Sequence, residues 1–198
     1  MPKVISDEER ELTKQALHRA GVSLIKSKKL RNVTVDDITK TAGIAKGSFY
    51  SHYGSKEELL YEVLQNSANK LFKAVLDFRF DDGDFKRNIE KALNDIYLAP
   101  DSIALYMQPE DIEYIRRKFP DAIQEAENER VNGNLSQISD FFGLSETDAG
   151  TLAYLMDGFQ YIASCASDYG RASHRQSLDI CVRTIAEFIS EKSTKKGV

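Results

Sequence analysis

Tryptophan is absent from the chain, and only two cysteines, Cys165 and Cys181, occur in its 198 residues. Two cysteines make neither a disulfide framework nor a CxxC-type zinc site, so they read as small buried hydrophobes in a reducing compartment. Histidine is nearly as scarce: His18, His52 and His174 are scattered without metal-ligand spacing. No apolar run approaches the roughly 18 residues that a membrane span requires. Met1-Pro2-Lys3 leads into an acidic stretch rather than a signal-peptide core, and a cytoplasmic location is expected. There is no glycine-rich phosphate loop, HExxH, GxSxG or paired-carboxylate signature. No catalytic residue, metal or cofactor is therefore expected, and an enzyme is not. Internal repeats and low-complexity segments are missing as well.

What is present is the composition of a soluble globular protein, 41% hydrophobic and 29% charged. The net charge of −4 hides an asymmetry: residues 1–53 hold ten Lys and Arg against six Asp and Glu, and the remainder 17 against 25. A basic module on an acidic body suits a molecule that docks a polyanion with one end only.

The chain is organised around residues 34–58, TVDDITKTAGIAKGSFYSHYGSKEE. Thr34 stands before an acidic first turn, Asp36 and Asp37, which is an N-cap facing the positive end of a helix dipole. Ile38 and Ala42 give that short helix one apolar stripe, and Gly43 accepts the positive φ of its end. A second short helix is expected from about Ala45 to Ser51, making a helix-turn-helix. In such a motif the N-terminal end of the second helix reaches base edges in the major groove. Ala45, Lys46, Gly47 and Ser48 are therefore read as facing the groove, and Thr34, Tyr50, His52 and Lys56 as holding phosphates. Phe49 and Tyr53 should face inward.

The run VTVDDITKTAGIAKGSFYSHYGSKEELLYEVL resembles the DNA-binding segment of the TetR family of transcriptional regulators. Thr34, Ile38, Ala42, Gly43, Ile44, Lys46, Gly47, Tyr50, Lys56, Glu58 and Leu59 carry the resemblance, which covers roughly residues 10–64. Ala45 departs from it, standing where a capping Ser or Thr is common, and Lys29 stands where a glycine often closes the first helix.

Elsewhere the period is helical throughout. Ser6 and Glu9 form a capping box for a helix from Asp7 to about Lys28, and Ser55 and Glu58 form another for a long helix reaching about Phe80. Further helices are expected over about 84–98, 101–107, 110–118, 121–142, 146–167 and 173–192, with a frayed tail from Ser193. The fold expected is all-α, about nine helices. Residues 1–54 would form a three-helix DNA-binding domain and residues 55–198 a larger effector-binding and dimerisation domain. The last two helices carry wide apolar faces, and pairing two such hairpins would cover Leu152, Met156, Phe159, Ala163, Leu178, Val182, Ile185, Phe188 and Ile189. The resemblance implies the same homodimer, on an inverted-repeat operator in double-stranded DNA. It also implies a cavity for a small effector, for which Tyr97, Tyr106, Met107, Tyr114, Phe119, Tyr154 and Phe159 are the candidates. The function expected is a regulator, a repressor by first reading. The alternative is a helical adaptor that turns the same module on a protein partner.

Overall fold

The computed structural model describes residues 6–28, 30–78, 83–99, 102–107, 109–165 and 170–195. Among them are nine α-helices and no strand: α1 Asp7–Ser27, α2 Val35–Ala42, α3 Lys46–Tyr50, α4 Lys56–Leu76, α5 Phe85–Ala92, α6 Pro109–Arg116, α7 Asp121–Phe142, α8 Glu146–Ser164 and α9 Arg171–Lys192. No described helix is long and apolar enough to cross a membrane. Compactness divides the chain within α4 rather than at Gly54. One unit runs through Ser67 and takes up Pro109–Lys118, and the other holds Ala68–Gln108 and the chain from Phe119 onward.

In the first unit, local chemistry sets the helix starts. Ser6 and Glu9 cap α1 reciprocally, and Thr34 and Asp37 do the same for α2. Ser55 accepts from the Glu58 amide, while the Glu58 carboxylate reaches back to the amide of Gly54 at 2.8 Å. Gly43 closes α2 at φ 70°, the left-handed conformation that favours glycine. Leu17, Leu30, Val33, Ile38, Phe49, Leu59, Leu60 and Val63 are all essentially inaccessible and form the core. Gly21 lets α1 approach α4 closely: a Cβ there would meet Val63 Cγ2 at 2.9 Å.

In the second unit α5, α7, α8 and α9 enclose one core, with Ile89, Phe142, Leu152, Phe159, Val182, Ile185 and Ile189 at its centre. This corrects the expected dimer face. Leu152, Phe159, Ala163, Val182, Ile185 and Ile189 are at most 5% exposed, and Met156, Leu178 and Phe188 pack against the same core. The chain's own α5 and α7 consume the apolar faces that seemed to need a second copy. The exposed positions of α8 are instead Glu146, Thr147, Thr151, Tyr154, Asp157, Gly158 and Tyr161.

Other expectations change in detail. The helix expected to run to Phe80 stops at Leu76, and its expected end, Asp81-Asp82, lies outside the described residues. The helix over 84–98 is α-helical only to Ala92 and continues as a π turn, Leu93–Tyr97. The helix expected before Met107 is one 3₁₀ turn, Ile103–Tyr106. On α7 the apolar period is not wholly inward, and Val131 is 50% exposed. The expected frayed tail is anchored at its start. Ser193 Oγ donates to Phe142 O at 2.6 Å, Thr194 Oγ1 to Gly143 O at 2.8 Å and Lys195 Nζ to Asp140 O at 2.6 Å. These side chains supply the partners that the last carbonyls of α7 lack inside their own helix.

Two glycines in helix interiors should respond oppositely to alanine. Gly133→Ala meets open space and should stabilise by about 1 kcal/mol through helix propensity. At Gly21 that gain is set against about 1–3 kcal/mol of overpacking on a stiff, fully buried valine, so a net loss of up to about 2 kcal/mol is expected. Urea denaturation of the two variants measures both, and a stabilised Gly21→Ala would show that α1 and α4 are not in close contact.

Candidate nucleic-acid interface

Helix α3 has only five residues, and its N-cap, Ala45, makes no side-chain cap bond. The helix is held from its far side. Phe49 is fully buried, its ring 5.3 Å from Tyr50 and 6.0 Å from Tyr53. Tyr53 is buried too and donates to Glu62 Oε2 at 3.2 Å, and burial pushes its phenol pKa well up. With Phe49 and Tyr53 turned inward, Ala45, Lys46 and Gly47 are exposed, Ser48 is half-buried and Tyr50 is 52% exposed. A free helix N-terminus with small side chains can approach a surface closely, and its unpaired amides attract anions.

Thr34, the N-cap of α2, is exposed as well, but its hydroxyl is engaged. It accepts from the Asp37 amide and donates to Asp37 Oδ2 at 2.6 Å. Lys28 donates to the same carboxylate oxygen at 2.6 Å; that bond and those from Thr34 hold the Asp37 carboxyl far below the usual range. Lys46 pairs with Asp36 Oδ1 at 2.8 Å, and this bond raises its ammonium pKa. Both side chains are more than half exposed, so the pair is worth little and opens readily. Sequence reasoning missed Asp36 as a partner of Lys46 because the two lie on different helices.

Lys56 is a correction. It was expected to hold a phosphate, yet its ammonium donates to Val33 O at 2.6 Å and Arg31 O at 3.0 Å, and its side chain is only 18% exposed. Its neighbour Glu57 accepts a 2.6 Å hydrogen bond from the Tyr114 hydroxyl. Burial first, then that bond, pushes the Tyr114 phenol up to about 12. Tyr114 therefore belongs to the first unit and is not a wall of a cavity in the second.

His52 sits half-buried in a groove of about 350 Å³ lined also by Asp7, Arg10, Glu11, Lys14, Ser51, Tyr53 and Glu62. Lys14 pairs with Glu62 at 3.1 Å. Desolvation, then Arg10 and Lys14, lower the His52 pKa below its ordinary value.

In the second unit the aromatic candidates do not all gather. Tyr97, on the π turn, stacks on Phe159 at 5.0 Å, and its hydroxyl donates to Gln160 Oε1. Gln160 Nε2 donates to Met107 O at 3.1 Å, so Tyr97, Met107 and Phe159 meet around one amide that sequence reasoning missed. Burial pushes the Tyr97 phenol well up. Tyr106 is 40% exposed, Phe119 is half-buried, and Tyr154, at 81% exposed, lies on the surface of α8.

With this geometry in place, comparison adds a family. Residues 17–63, which span α1 to the first part of α4, match the model of bacterial regulatory proteins, tetR family. Over these residues the chain matches the TetR family. The chain is 35% identical over 60 residues to the uncharacterized HTH-type transcriptional regulator YxbF of Bacillus subtilis, covering 30% of this chain and 16% of that one. It is 32% identical over 90 residues to the HTH-type transcriptional repressor KstR2 of Rhodococcus jostii, covering 43% of this chain and 44% of that one. The chain thus spans less than half the length of these curated relatives. A crystal structure of a transcriptional regulator from Rhodococcus sp. Rha1 shares the fold with a TM-score of 0.60 at 20% identity, covering 90% of this chain and 96% of that one. The sequence match of the TetR segment thus coincides with the helices that expose the N-terminus of α3.

The His52 shift has a sign that can be checked. A histidine whose folded pKa is lowered binds fewer protons folded than unfolded, so its contribution is fully favourable above about 6.5 and is lost as pH falls through the lowered value. An NMR titration of the imidazole should show a midpoint below 6.5, moved part of the way back by Arg10→Gln. A midpoint at or above 6.5 would show that the ring is neither desolvated nor flanked by the two cations.

Proposed function

We propose that this chain is a TetR-family, sequence-specific DNA-binding transcriptional regulator, a repressor that a small molecule releases from its operator. The observation that supports it most is the exposed N-terminal end of α3, where Ala45, Lys46 and Gly47 are open and Phe49 is buried behind them. Lys46 and Ser48 read base edges, and Tyr50, His52 and the Thr34 region meet phosphates. Selection of bound sequences from a random DNA pool tests this: an inverted repeat should emerge, because a two-fold dimer requires a two-fold site. Lys46→Ala and Ser48→Ala should change the selected bases. A pool that enriches no sequence would defeat the reading.

The partner in the dimer is a second copy seated on the outer face of the last two helices. Thr147, Thr151, Tyr154, Gly158 and Tyr161 follow one another on exposed α8, and Ser173, Ile180 and Thr184 lie exposed on α9. Between Thr147 and Tyr161 the exposed positions of α8 carry one charge, Asp157, in a chain that is 29% charged. Charge depletion with enrichment in tyrosine marks the centre of an interface. Gly158→Arg should therefore give a monomer by sedimentation at micromolar concentration without lowering the protomer's own stability, which helix propensity should raise by up to about 1 kcal/mol. A dimer unaffected by this variant would place the interface elsewhere.

Release uses the continuity of α4, whose 21 residues cross from Lys56 to Leu76 without a flexible linker. An effector held around Tyr97, Phe159 and the Gln160 amide acts by favouring a helix position that the operator disfavours. Linkage then requires effector and operator to weaken each other equally, typically about 5- to 150-fold.

A further inference from the structure

The Lys56 ammonium is turned toward the backbone of its own unit, and its side chain is only 18% exposed. Two of its three donors are spent on the carbonyls of Arg31 and Val33, the Glu57 carboxylate lies 3.9 Å away, and the Tyr114 ring centroid 5.8 Å away. The carbonyls it ties belong to one short segment. The 3₁₀ turn Leu30–Asn32 and the fully buried Val33 lead straight into Thr34, the N-cap of α2. The direction in which the chain leaves this turn sets the axis of α2 and, through Gly43, the position of α3.

We propose that Lys56, Glu57 and Tyr114 form a latch that positions the DNA-reading module, with Lys56 acting as a positioning residue for the 30–33 turn rather than as a phosphate contact. Glu57 and Tyr114 complete it. The Tyr114 hydroxyl fixes the Glu57 carboxylate at 2.6 Å, and its ring stands beside the ammonium as a cation–π partner. The adjacent Ile115 is 1% exposed, so Tyr114 is carried on a helix that is itself embedded in this unit, although 57 residues separate it from Glu57. Loss of the Lys56 ammonium frees the carbonyls of residues 31 and 33, and loss of Glu57 or the Tyr114 hydroxyl leaves that ammonium less firmly placed; either loosens the start of α2, far from the groove-facing side chains.

Two variants and two readouts test the latch. Lys56→Met keeps the length of the side chain and removes its donors, and Tyr114→Phe keeps the ring and removes the hydroxyl. Without DNA, hydrogen exchange of the amides at 33–38 should be about two- to tenfold faster in each, the range a lost hydrogen bond allows. With a random-sequence DNA duplex as probe, Lys56→Met should leave the slope of log affinity against log salt unchanged, whereas loss of a phosphate contact lowers it by about 0.9. A slope lowered by that amount overturns the assignment whatever the exchange shows, and unchanged exchange in Tyr114→Phe overturns the latch. Only the salt readout rests on the DNA-binding reading. If the parent protein binds no DNA, that reading fails alone and exchange still decides the latch.

Discussion

A helix of five residues has no stability of its own. Its hydrogen bonds barely exceed those needed for nucleation, which is unfavourable, and α3 also lacks a side-chain cap. Its existence depends on the burial of Phe49, supported by Tyr53 and by the inaccessible Leu17, Ile38, Leu59 and Leu60. Everything presented to a ligand by Ala45, Lys46, Gly47 and Ser48 depends on that anchor, since Phe49 fixes which side of the helix faces out. Such a short element can be mounted on the surface only if three longer helices build its seat. The capping boxes of α1 and α2 and the close approach at Gly21 are how they do so.

The cations of this module divide by what they touch. Lys28 and Lys56 are committed to neighbouring parts of the fold, through Asp37 and through two backbone carbonyls. Lys46 is held by a carboxylate in an exposed pair that costs little to open. Lys28 and Lys46 fall within the first 53 residues, so the basic surplus counted there overstates the charge available to a polyanion. Some of it holds the module together, and the sequence does not distinguish the two uses. Distance and exposure do: a lysine with two carbonyls within 3.0 Å has already exchanged its water for protein.

What was legible in the sequence was what is local. Ser6 with Glu9, Thr34 with Asp37 and the turn at Gly43 involve residues a few positions apart, and their chemistry specifies one geometry. The helical period located nearly every α-helix for the same reason. What was not legible spans the chain. Ser193 bonds a carbonyl 51 residues away, Tyr114 a carboxylate 57 away and Tyr97 an amide 63 away. No residue type announces such a partner. Tyr114 and Tyr154 show the cost: both were grouped with Tyr97 as aromatics of one region, yet one closes onto Glu57 and the other faces water. The π turn at Leu93–Tyr97 was hidden differently, because the extra residue leaves the composition of a helix unchanged.

The apolar faces of α8 and α9 carry the same lesson to the quaternary level. A broad hydrophobic stripe on a helix states that something covers it, not what covers it. In this chain α5 and α7 do, and Leu152, Val182, Ile185 and Ile189 are spent within one molecule. The face left over has few large aliphatic residues, and hydrophobicity alone would pass it by. It is marked by what it lacks, since Thr147, Thr151, Gly158 and Thr184 stand where a solvated helix would carry Lys or Glu. Leaving a helix surface with few charges gives up solubility and favourable pairs between successive turns, which the proposed contact with a second copy would offset. Two tyrosines on the same stripe supply contact area at little entropic cost, which is what an association that must compete with water requires.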